Sequence, residues 1–281
     1  MNEELRQKLI KDLDKSGFAS EMRVLKIFHS LKWRAKSGEG YFDKDENITR
    51  EIDISAYSSL LLKHREKTYA SIFFHIVAEI KKTEQPWVVF RHRLGDSTDI
   101  CAWNNLISSF NLPDEGSKLV NYISRSSLKK VRGWLGSGIH HAFKDPSIPS
   151  RWYQAFVSVC KACEDKYEVE GSSDWRGSSD EVTSNVLENT TEFSFFQPLV
   201  ILDGILVAAE LADSGEIQLE EISSVPFQFE FRTKNYHRSH YRVDLVTIDG
   251  LEEYLTLAKQ RQRDIADGIQ KLASSHLRED F

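Results

Sequence analysis

Three charged residues stand inside two apolar stretches of the chain, where a protein core would ordinarily have none. Asp53 lies in the segment Arg50–Ile54, and Glu79 and Lys81 lie in the segment Ala78–Lys82. Both segments are typical of buried strands, whose side chains alternate between the two faces, so Glu79 and Lys81 are expected to share a face. If the two strands pair, Asp53 meets Glu79 and Lys81 on one patch of sheet. Two carboxylates and one amine at one place favour a divalent metal with an activated water.

The first helices are predicted from caps and from the spacing of apolar residues. Residues 2–15 form a polar, amphipathic pattern that Gly17 can end as a C-terminal cap. Ser20 is predicted to be the N-cap of a second helix over about 21–32. Glu21 precedes the first apolar residue of that helix by three positions, so it is expected at the edge of the buried face.

Strands are predicted on both sides of the charged segments. A first strand is expected to open at 33–35, and the polar, Gly-rich residues 36–48 are predicted to be a loop. Further strands are predicted at about 49–60, 70–81 and 86–90. The strand at 70–81 is apolar on both faces, which is typical of a central strand.

The middle of the chain, residues 100–168, is predicted to be mostly helical. Apolar residues recur at helical spacing in Ser117–Leu135 and in Ser150–Tyr167. A polar segment follows at 170–185 and is expected to be a mobile loop.

The last third of the chain is predicted to return to strands. The Asp203-Gly204 pair between two apolar runs indicates a tight β-hairpin, and further strands are expected at 226–232 and 241–248. A long helix over about 249–275 closes the chain. Its narrow apolar stripe predicts either docking on the sheet or a homodimer contact.

The order of these elements predicts an α/β fold with a mixed central sheet flanked by helices. One elaborated domain is expected. It comprises a core half with the charged segments at 1–99, a helical insertion and loop at 100–190, and C-terminal strands and a helix at 191–281.

The composition limits the classes of function. The chain has 281 residues, of which 40% are apolar and 28% charged, as in an ordinary globular protein. No membrane span and no signal peptide is visible, and the three cysteines give no disulfide framework, so we expect a cytoplasmic protein without a membrane partner. A net charge of −6 argues against a protein that coats nucleic acid, but a nuclease needs only a local positive surface.

The charged segments together resemble the PD-(D/E)xK nuclease superfamily, which has the restriction-endonuclease-like fold. In that family a helix bearing a glutamate is followed by a strand, then a strand with an aspartate, then a strand with Glu-x-Lys. The corresponding segments here are Gly17–Glu21, Arg50–Ile54 and Glu79-Ile80-Lys81, within about a quarter of the chain. The family's proline before the aspartate is absent, because Ile52 stands there.

The resemblance implies a role for each matching residue. Asp53 and Glu79 would be ligands of Mg²⁺ or Mn²⁺, with the Ile80 carbonyl as a third ligand. Glu21 would reach a second metal or a ligating water. Lys81 would orient the attacking water and help deprotonate it, or stabilise the transition state. A structural ion pair between Lys81 and one of the acids is the alternative.

Two basic stretches are candidates for contact with nucleic acid, because basic side chains position a phosphate backbone without reading its sequence. A solvated charge run is the alternative in each case. The first stretch contains Arg125, Lys129, Lys130 and Arg132; the second, which also carries tyrosines, contains Arg232, Lys234, His237, Arg238, His240 and Arg242.

The remaining candidates favour ordinary structural roles. Cys160 and Cys163 have the spacing of half a zinc site but lack a second pair, so two half-buried helix cysteines are expected. His140 and His141 are predicted to lie in a loop after a Gly-Ser-Gly segment. His75 is expected on the face of Glu79, either beside the active site or as a hydrogen-bonded core histidine.

The resemblance implies a Mg²⁺-dependent nuclease that hydrolyses phosphodiester bonds, with DNA favoured over RNA. By analogy at the level of the fold, such a chain would belong to a prokaryotic restriction or phage-defence system, with a partner subunit that activates it. The alternative is a catalytically silent nuclease-fold module for nucleic-acid binding or complex assembly, which the long last helix and the acidic charge favour.

Overall fold

The structure, a computed structural model, describes residues 1–64, 67–93, 106–110, 134–144, 151–171, 191–236 and 238–276. These residues contain four helices: α1 (Glu3–Ser16), α2 (Phe18–Ser30), α3 (Arg151–Gly171) and α4 (Leu251–His276). They also contain eleven strands: β1 (Arg34–Asp43), β2 (Ile48–His64), β3 (Lys67–Lys82), β4 (Trp87–Arg93), β5 (Leu106–Phe110), β6 (Trp134–His141), β7 (Thr191–Asp203), β8 (Leu206–Leu211), β9 (Ile217–Glu221), β10 (Ser224–Glu230) and β11 (His240–Thr247).

All eleven strands belong to one mixed sheet. Its order is β1-β2-β3-β7-β11-β10-β6-β4-β8-β9, and β5 pairs with β7 outside this path. The consecutive strands β1, β2 and β3 are antiparallel, whereas β7 follows α3 along the chain and lies parallel to β3. β3 therefore has a strand on each side, as its apolar character on both faces predicted.

Helices cover the two faces of this sheet, and each face has its own apolar core. The core on the α3 side includes Val77 and Phe196 from the sheet and Phe156 from the helix. The core on the opposite side includes Ile76 of β3, and α2 and α4 contribute Val24, Phe28, Leu251 and Leu255 to it. The protein is thus a mixed α/β protein whose charged segments lie on strands sandwiched between helices.

The first helix and the charged strands agree with the predictions. α1 ends at Gly17, whose φ of 91° is a left-handed conformation that glycine adopts readily. β2 and β3 pair in antiparallel orientation, with Ile54 opposite Ala78.

Two boundaries near the N-terminus were predicted wrongly. α2 begins at Phe18, directly after Gly17, so Ser20 lies inside the helix and is buried rather than capping it. Residues 36–43 are not a loop but most of β1. Among the described strands β1 pairs with β2 alone and forms an edge, and most of its side chains are exposed, so its polar composition hid its strand character.

The predicted helical insertion at 100–190 is only partly helical. Arg151–Gly171 forms α3 as expected, but Leu106–Phe110 and Trp134–His141 are strands of the large sheet. The predicted helix Ser117–Leu135 otherwise lies outside the described residues, as does the predicted loop from residue 172 onward.

The predicted hairpin at Asp203-Gly204 is wrong. β7 before this dipeptide pairs with β3 and β11, whereas β8 after it pairs with β4 and β9. The dipeptide therefore carries the chain from one part of the sheet to another instead of joining neighbouring strands.

The last helix docks on the sheet. Leu251, Leu255, Ile265 and Ile269 of α4 are buried in the core on the α2 side. The apolar stripe is thus used inside the protein, and a homodimer through this helix stays a prediction. Within the described residues, no helix is both long enough and apolar enough to cross a membrane.

Candidate functional site

Asp53 lies where β2 separates from β3. The paired register of the two strands ends at Ile54 and Ala78, so Asp53 is the first residue of β2 beyond the paired region. There the Asp53 carboxylate takes the place of a backbone partner: its Oδ2 accepts a hydrogen bond of 2.6 Å from the backbone N–H of Ile80. The predicted meeting of Asp53 with the Glu-x-Lys strand is therefore present, and this hydrogen bond fixes the orientation of the carboxylate.

Glu79 and Lys81 share a face of β3, as predicted. Lys81 Nζ lies 2.5 Å from Glu79 Oε1. The side chain of Glu79 is 14% exposed and that of Lys81 is 26% exposed, so the pair lies at the border between core and solvent. Val77, two residues before Glu79, is buried against α3, which places the pair on the α3 side of the sheet.

Glu21 approaches the same place from α2. Its pKa is raised by partial burial and by the negative charge of Asp53. The glutamate of the helix and the aspartate of the strand therefore lie within electrostatic range of each other.

The pKa of Glu79 depends on its own burial and on the charges of Lys81, Asp53 and Glu21. Burial raises the pKa of Glu79, Lys81 lowers it, and the charges of Asp53 and Glu21 raise it again, with a net increase. One ammonium group thus only partly offsets three carboxylates. The arrangement holds unbalanced negative charge, which a bound cation would neutralise.

The donor chemistry suits Mg²⁺, which prefers carboxylate, carbonyl and water oxygens. Asp53 Oδ1 accepts no hydrogen bond among the described residues, and the Ile80 carbonyl follows Glu79 directly along the strand. Glu79 already contacts Lys81, so it can bind a metal only if that contact loosens. Within the described residues no group of three or more His, Cys, Asp or Glu side chains is close enough to hold a metal ion as it stands.

A fourth acid, Asp203, lies at the end of β7 beside the motif, and the sequence pattern did not indicate it. It pairs in register with Lys82, the residue after Lys81. The Ser20 hydroxyl donates a hydrogen bond to Asp203, and Arg23 Nη2 lies 2.7 Å from its Oδ2. These contacts join α2 to the sheet and hold the helix that carries Glu21. Asp203 was assigned to a hairpin turn, and only the parallel pairing of β7 with β3 reveals its place.

The predicted nucleic-acid contacts have different outcomes. Lys129, Lys130 and Arg132, with Arg125, lie outside the described residues. Arg242 is buried and forms an ion pair of 3.0 Å with Asp244, so its prediction as a surface phosphate contact is wrong.

The other described residues of the second basic stretch lie at the surface, with Arg232 and His240 exposed. Lys234 is exposed. Arg238 lies over the Tyr167 ring and 3.7 Å from Glu164, with its side chain 34% exposed. Neither prediction is tested by these positions.

The weaker candidates have structural roles in the described residues. His75 is buried, stacks on Phe196 with ring centroids 4.6 Å apart and lies 2.9 Å from Glu170, which corresponds to the core-histidine alternative. His140 and His141 end strand β6, so the predicted loop there is wrong.

The cysteine pair is fully enclosed by the core on the α3 side. Cys160 and Cys163 are free thiols, both buried completely rather than half-buried. Burial raises the pKa of both, which disfavours the thiolate that zinc requires.

Comparison of the chain with protein-family models, with curated proteins and with solved structures gave no match.

Proposed function

We propose that this protein is a Mg²⁺-dependent nuclease of PD-(D/E)xK type that hydrolyses phosphodiester bonds of DNA. The observation that carries the proposal is the convergence of Glu21, Asp53, Glu79 and Lys81 at the place where β2 leaves β3. These residues come from three elements, α2, β2 and β3, and they match the family's motif in order and type.

The order of elements supports the same class. A helix bearing Glu21 is followed by β1, by β2 with Asp53 and by β3 with Glu79 and Lys81, and the three strands are consecutive and antiparallel. The sheet then continues with the parallel strand β7.

Hydrolysis forms one P–O bond and breaks another, so a proton must leave the attacking water and charge must be offset on the phosphoryl oxygens. Mg²⁺ would supply positive charge for those oxygens and lower the pKa of a nearby water. Asp53, oriented by the Ile80 N–H, would hold the cation. Glu79 would be a further ligand once its contact with Lys81 loosens, and the Lys81 ammonium would then orient the water or the phosphoryl oxygen.

The test is cleavage of single- and double-stranded DNA, and of RNA, by the purified protein with Mg²⁺ or Mn²⁺. Asp53→Ala and Lys81→Ala are expected to abolish cleavage. Lys82→Ala is the matched control, because Lys82 is the next residue, is exposed and contacts Asp14 rather than the site. Full activity in both site variants would overturn the proposal, as would the absence of both cleavage and Mn²⁺ binding in the wild-type protein.

A second candidate function is a catalytically silent module for nucleic-acid binding or complex assembly. It is favoured by the fact that Glu79 and Asp53 both have protein partners, in Lys81 and the Ile80 N–H, without any cation. Calorimetry with Mn²⁺ separates the two functions: DNA binding without metal binding supports the silent module, and metal binding that Asp53→Ala removes supports the nuclease.

The corresponding proposal for the biological role is that the protein acts in a prokaryotic restriction or phage-defence system, where a partner subunit activates it. It depends on analogy at the level of the fold. A purified protein that cleaves only when a second subunit is added would support it.

A further inference from the structure

A cavity of about 130 Å³ lies between α3 and the α3 side of the sheet. Its apolar walls include Tyr41 of β1, Ile52 of β2 and Val77 of β3. Ile52 directly precedes Asp53, and Val77 lies two residues before Glu79 on the same face. The cavity therefore adjoins Glu79 through β3, and the pKa of Tyr41, which burial raises, is raised further by the charges of Asp43 and Glu79.

The one lysine that lines the cavity already has two carboxylate partners. Lys166 Nζ lies 3.2 Å from Glu39 and 2.7 Å from Glu170, and both of these acids also line the cavity. Its positive charge is therefore matched inside the wall. A phosphate in this cavity would meet more negative than positive charge and is disfavoured.

Asp165 is the third acid in the cavity wall, and Lys166 does not form an ion pair with it. It forms no ion pair among the described residues; burial raises its pKa, and the Phe42 backbone and the charges of Lys44 and Lys166 offset this only in part. Half-buried and without an ion-pair partner, its carboxyl group retains acceptor capacity for a donor that enters the cavity. A neutral ligand with N–H donors fits this position better than an anion does.

The volume of the cavity and the side chains of its wall limit the class of ligand further. The volume is close to the ~150 Å³ of an engineered protein cavity that binds benzene, so one planar six-membered ring is the size of ligand that it admits. Apolar side chains from the strands can contact the faces of a planar ring, while the carboxylate of Asp165 can accept from an exocyclic amino group at its edge.

We propose that this cavity receives one unstacked nucleobase carrying an exocyclic amino group, such as cytosine, from the nucleotide beside the cleaved phosphate. Asp165 accepts the hydrogen bond of that amino group. A base cannot enter while it is stacked and paired, so the substrate class is single-stranded nucleic acid or a duplex with a flipped or unpaired nucleotide. This inference rests on the proposed function, whose metal and catalytic residues it leaves unchanged.

The binding test uses 2′-deoxycytidine and thymidine, which differ at the position where one carries an amino group and the other a carbonyl. Calorimetry or NMR titration of the wild-type protein without metal is expected to show binding of deoxycytidine roughly tenfold tighter than that of thymidine. Asp165→Asn is expected to remove this preference, because an amide can donate to the thymine carbonyl. Glu168→Gln is the matched control, since Glu168 lies on the same helix but is exposed and pairs with Lys44.

A second variant guards against a folding defect in Asp165→Asn. Ala162 is buried in the cavity wall, and Ala162→Leu fills part of the space without touching any charge. It is expected to weaken binding of deoxycytidine at least tenfold while circular dichroism and the thermal midpoint stay near the wild-type values.

The cleavage test compares single-stranded oligonucleotides that carry cytosine or thymine at each position around the cleaved bond, and duplexes of the same sequence. The inference is supported if the wild-type protein prefers single strands and prefers cytosine to thymine, and if Asp165→Asn abolishes the preference for cytosine. Cleavage by the wild-type protein without base preference, together with no binding of deoxycytidine, overturns the inference and leaves the nuclease standing. Binding of deoxycytidine without any cleavage has the opposite meaning: the cavity is assigned correctly and the proposed nuclease fails.

Discussion

Replacement of Glu79 by glutamine separates a functional acid from a structural ion pair. Glu79→Gln keeps the shape of the side chain but removes its charge. If the contact with Lys81 served stability alone, the variant would lose stability. If the acid is retained for metal binding, its removal relieves repulsion with Asp53 and Glu21, and the metal-free protein loses little or becomes more stable.

The solvent exposure of the Glu79–Lys81 pair determines how much stability Glu79→Gln is expected to lose. The loss of a partner costs about 3–5 kcal/mol in a fully buried pair but about 1 kcal/mol or less at the surface. The side chain of Lys81 is 26% exposed, so water can solvate its ammonium in the variant. We therefore expect the metal-free free energy of unfolding to stay within about 1 kcal/mol of the wild-type value, or about 2–4 °C in the thermal midpoint.

The pH dependence of the free energy of unfolding gives the sign of the effect of Glu79→Gln. The pKa of Glu79 is raised in the folded protein above the ordinary glutamate value of 4.5. An acid of this kind favours the folded state when it is protonated, and that advantage is lost as the pH rises through the folded pKa. The stability of Glu79→Gln relative to the wild-type protein is therefore expected to increase as the pH rises above about 4.5.

The metal response is the second readout of the same variant. With a dissociation constant of ~1 mM, a concentration of ~10 mM Mg²⁺ stabilises the folded state by about 1.4 kcal/mol, which is RT ln 11. The wild-type midpoint should then rise by about 3–6 °C, and that of Glu79→Gln should not respond. The assay is thermal denaturation followed by circular dichroism, with and without Mg²⁺ and across pH 5–8.

Glu164→Gln is the matched control. Glu164 is buried, burial raises its pKa, and its partners are Tyr241 and Arg238 rather than the site. This variant should keep the wild-type Mg²⁺ response. The reasoning is refuted if Glu79→Gln loses 3 kcal/mol or more without metal while Mg²⁺ leaves the wild-type midpoint unchanged, because the pair would then be structural.

Two further predictions concern the contacts that hold α3 on the sheet. Lys161→Met removes the cation that lies 2.8 Å from Asp43 and 2.9 Å from Asp45, and it is expected to lower the free energy of unfolding by about 3–5 kcal/mol in urea titrations. A loss below about 1 kcal/mol would show that water replaces the lysine. Burial alone would raise the pKa of Glu170, but the contact with His75 and the charge of Lys166 outweigh it and lower that pKa to about 2. The stability this gives, at most about 3 kcal/mol, is present above the ordinary glutamate pKa of 4.5 and lost as the pH falls towards 2, so Glu170→Gln should differ from the wild-type protein only above that window. An equal difference at pH 2.5 and pH 7 would contradict this origin.

Local patterns predicted the candidate catalytic set because its members lie on elements that local patterns describe well. Glu79 and Lys81 sit in a strand that is apolar on both faces, and Asp53 sits in the strand that precedes it. Adjacent strands usually pair, so the register that brings them together required no knowledge of the rest of the chain.

Features decided by distant parts of the chain could not be predicted in this way. Asp203-Gly204 has the composition of a tight turn, but the strands on either side pair elsewhere in the sheet. Gly136 begins the Gly-Ser-Gly segment before the loop predicted at His140 and His141, yet it lies in β6, where a Cβ would come within 2.6 Å of Phe227 and 2.9 Å of Val89. Side chains of the neighbouring strands leave no room for a Cβ at this position, and the local sequence does not indicate this requirement.

The cavity and the candidate site depend on each other through α3. This helix supplies Asp165 to the cavity wall, and its Lys161 and Lys166 tie it to Asp43 and Glu39 of the edge strand β1. Because β1 pairs with β2, the same contacts also support the strand that carries Asp53. Loss of the Lys161 contacts should therefore weaken binding of deoxycytidine more than binding of Mg²⁺, since the cavity needs α3 directly and the metal ligands need it only through two strands. Equal losses of both would mean that the cavity and the metal site form one structural unit.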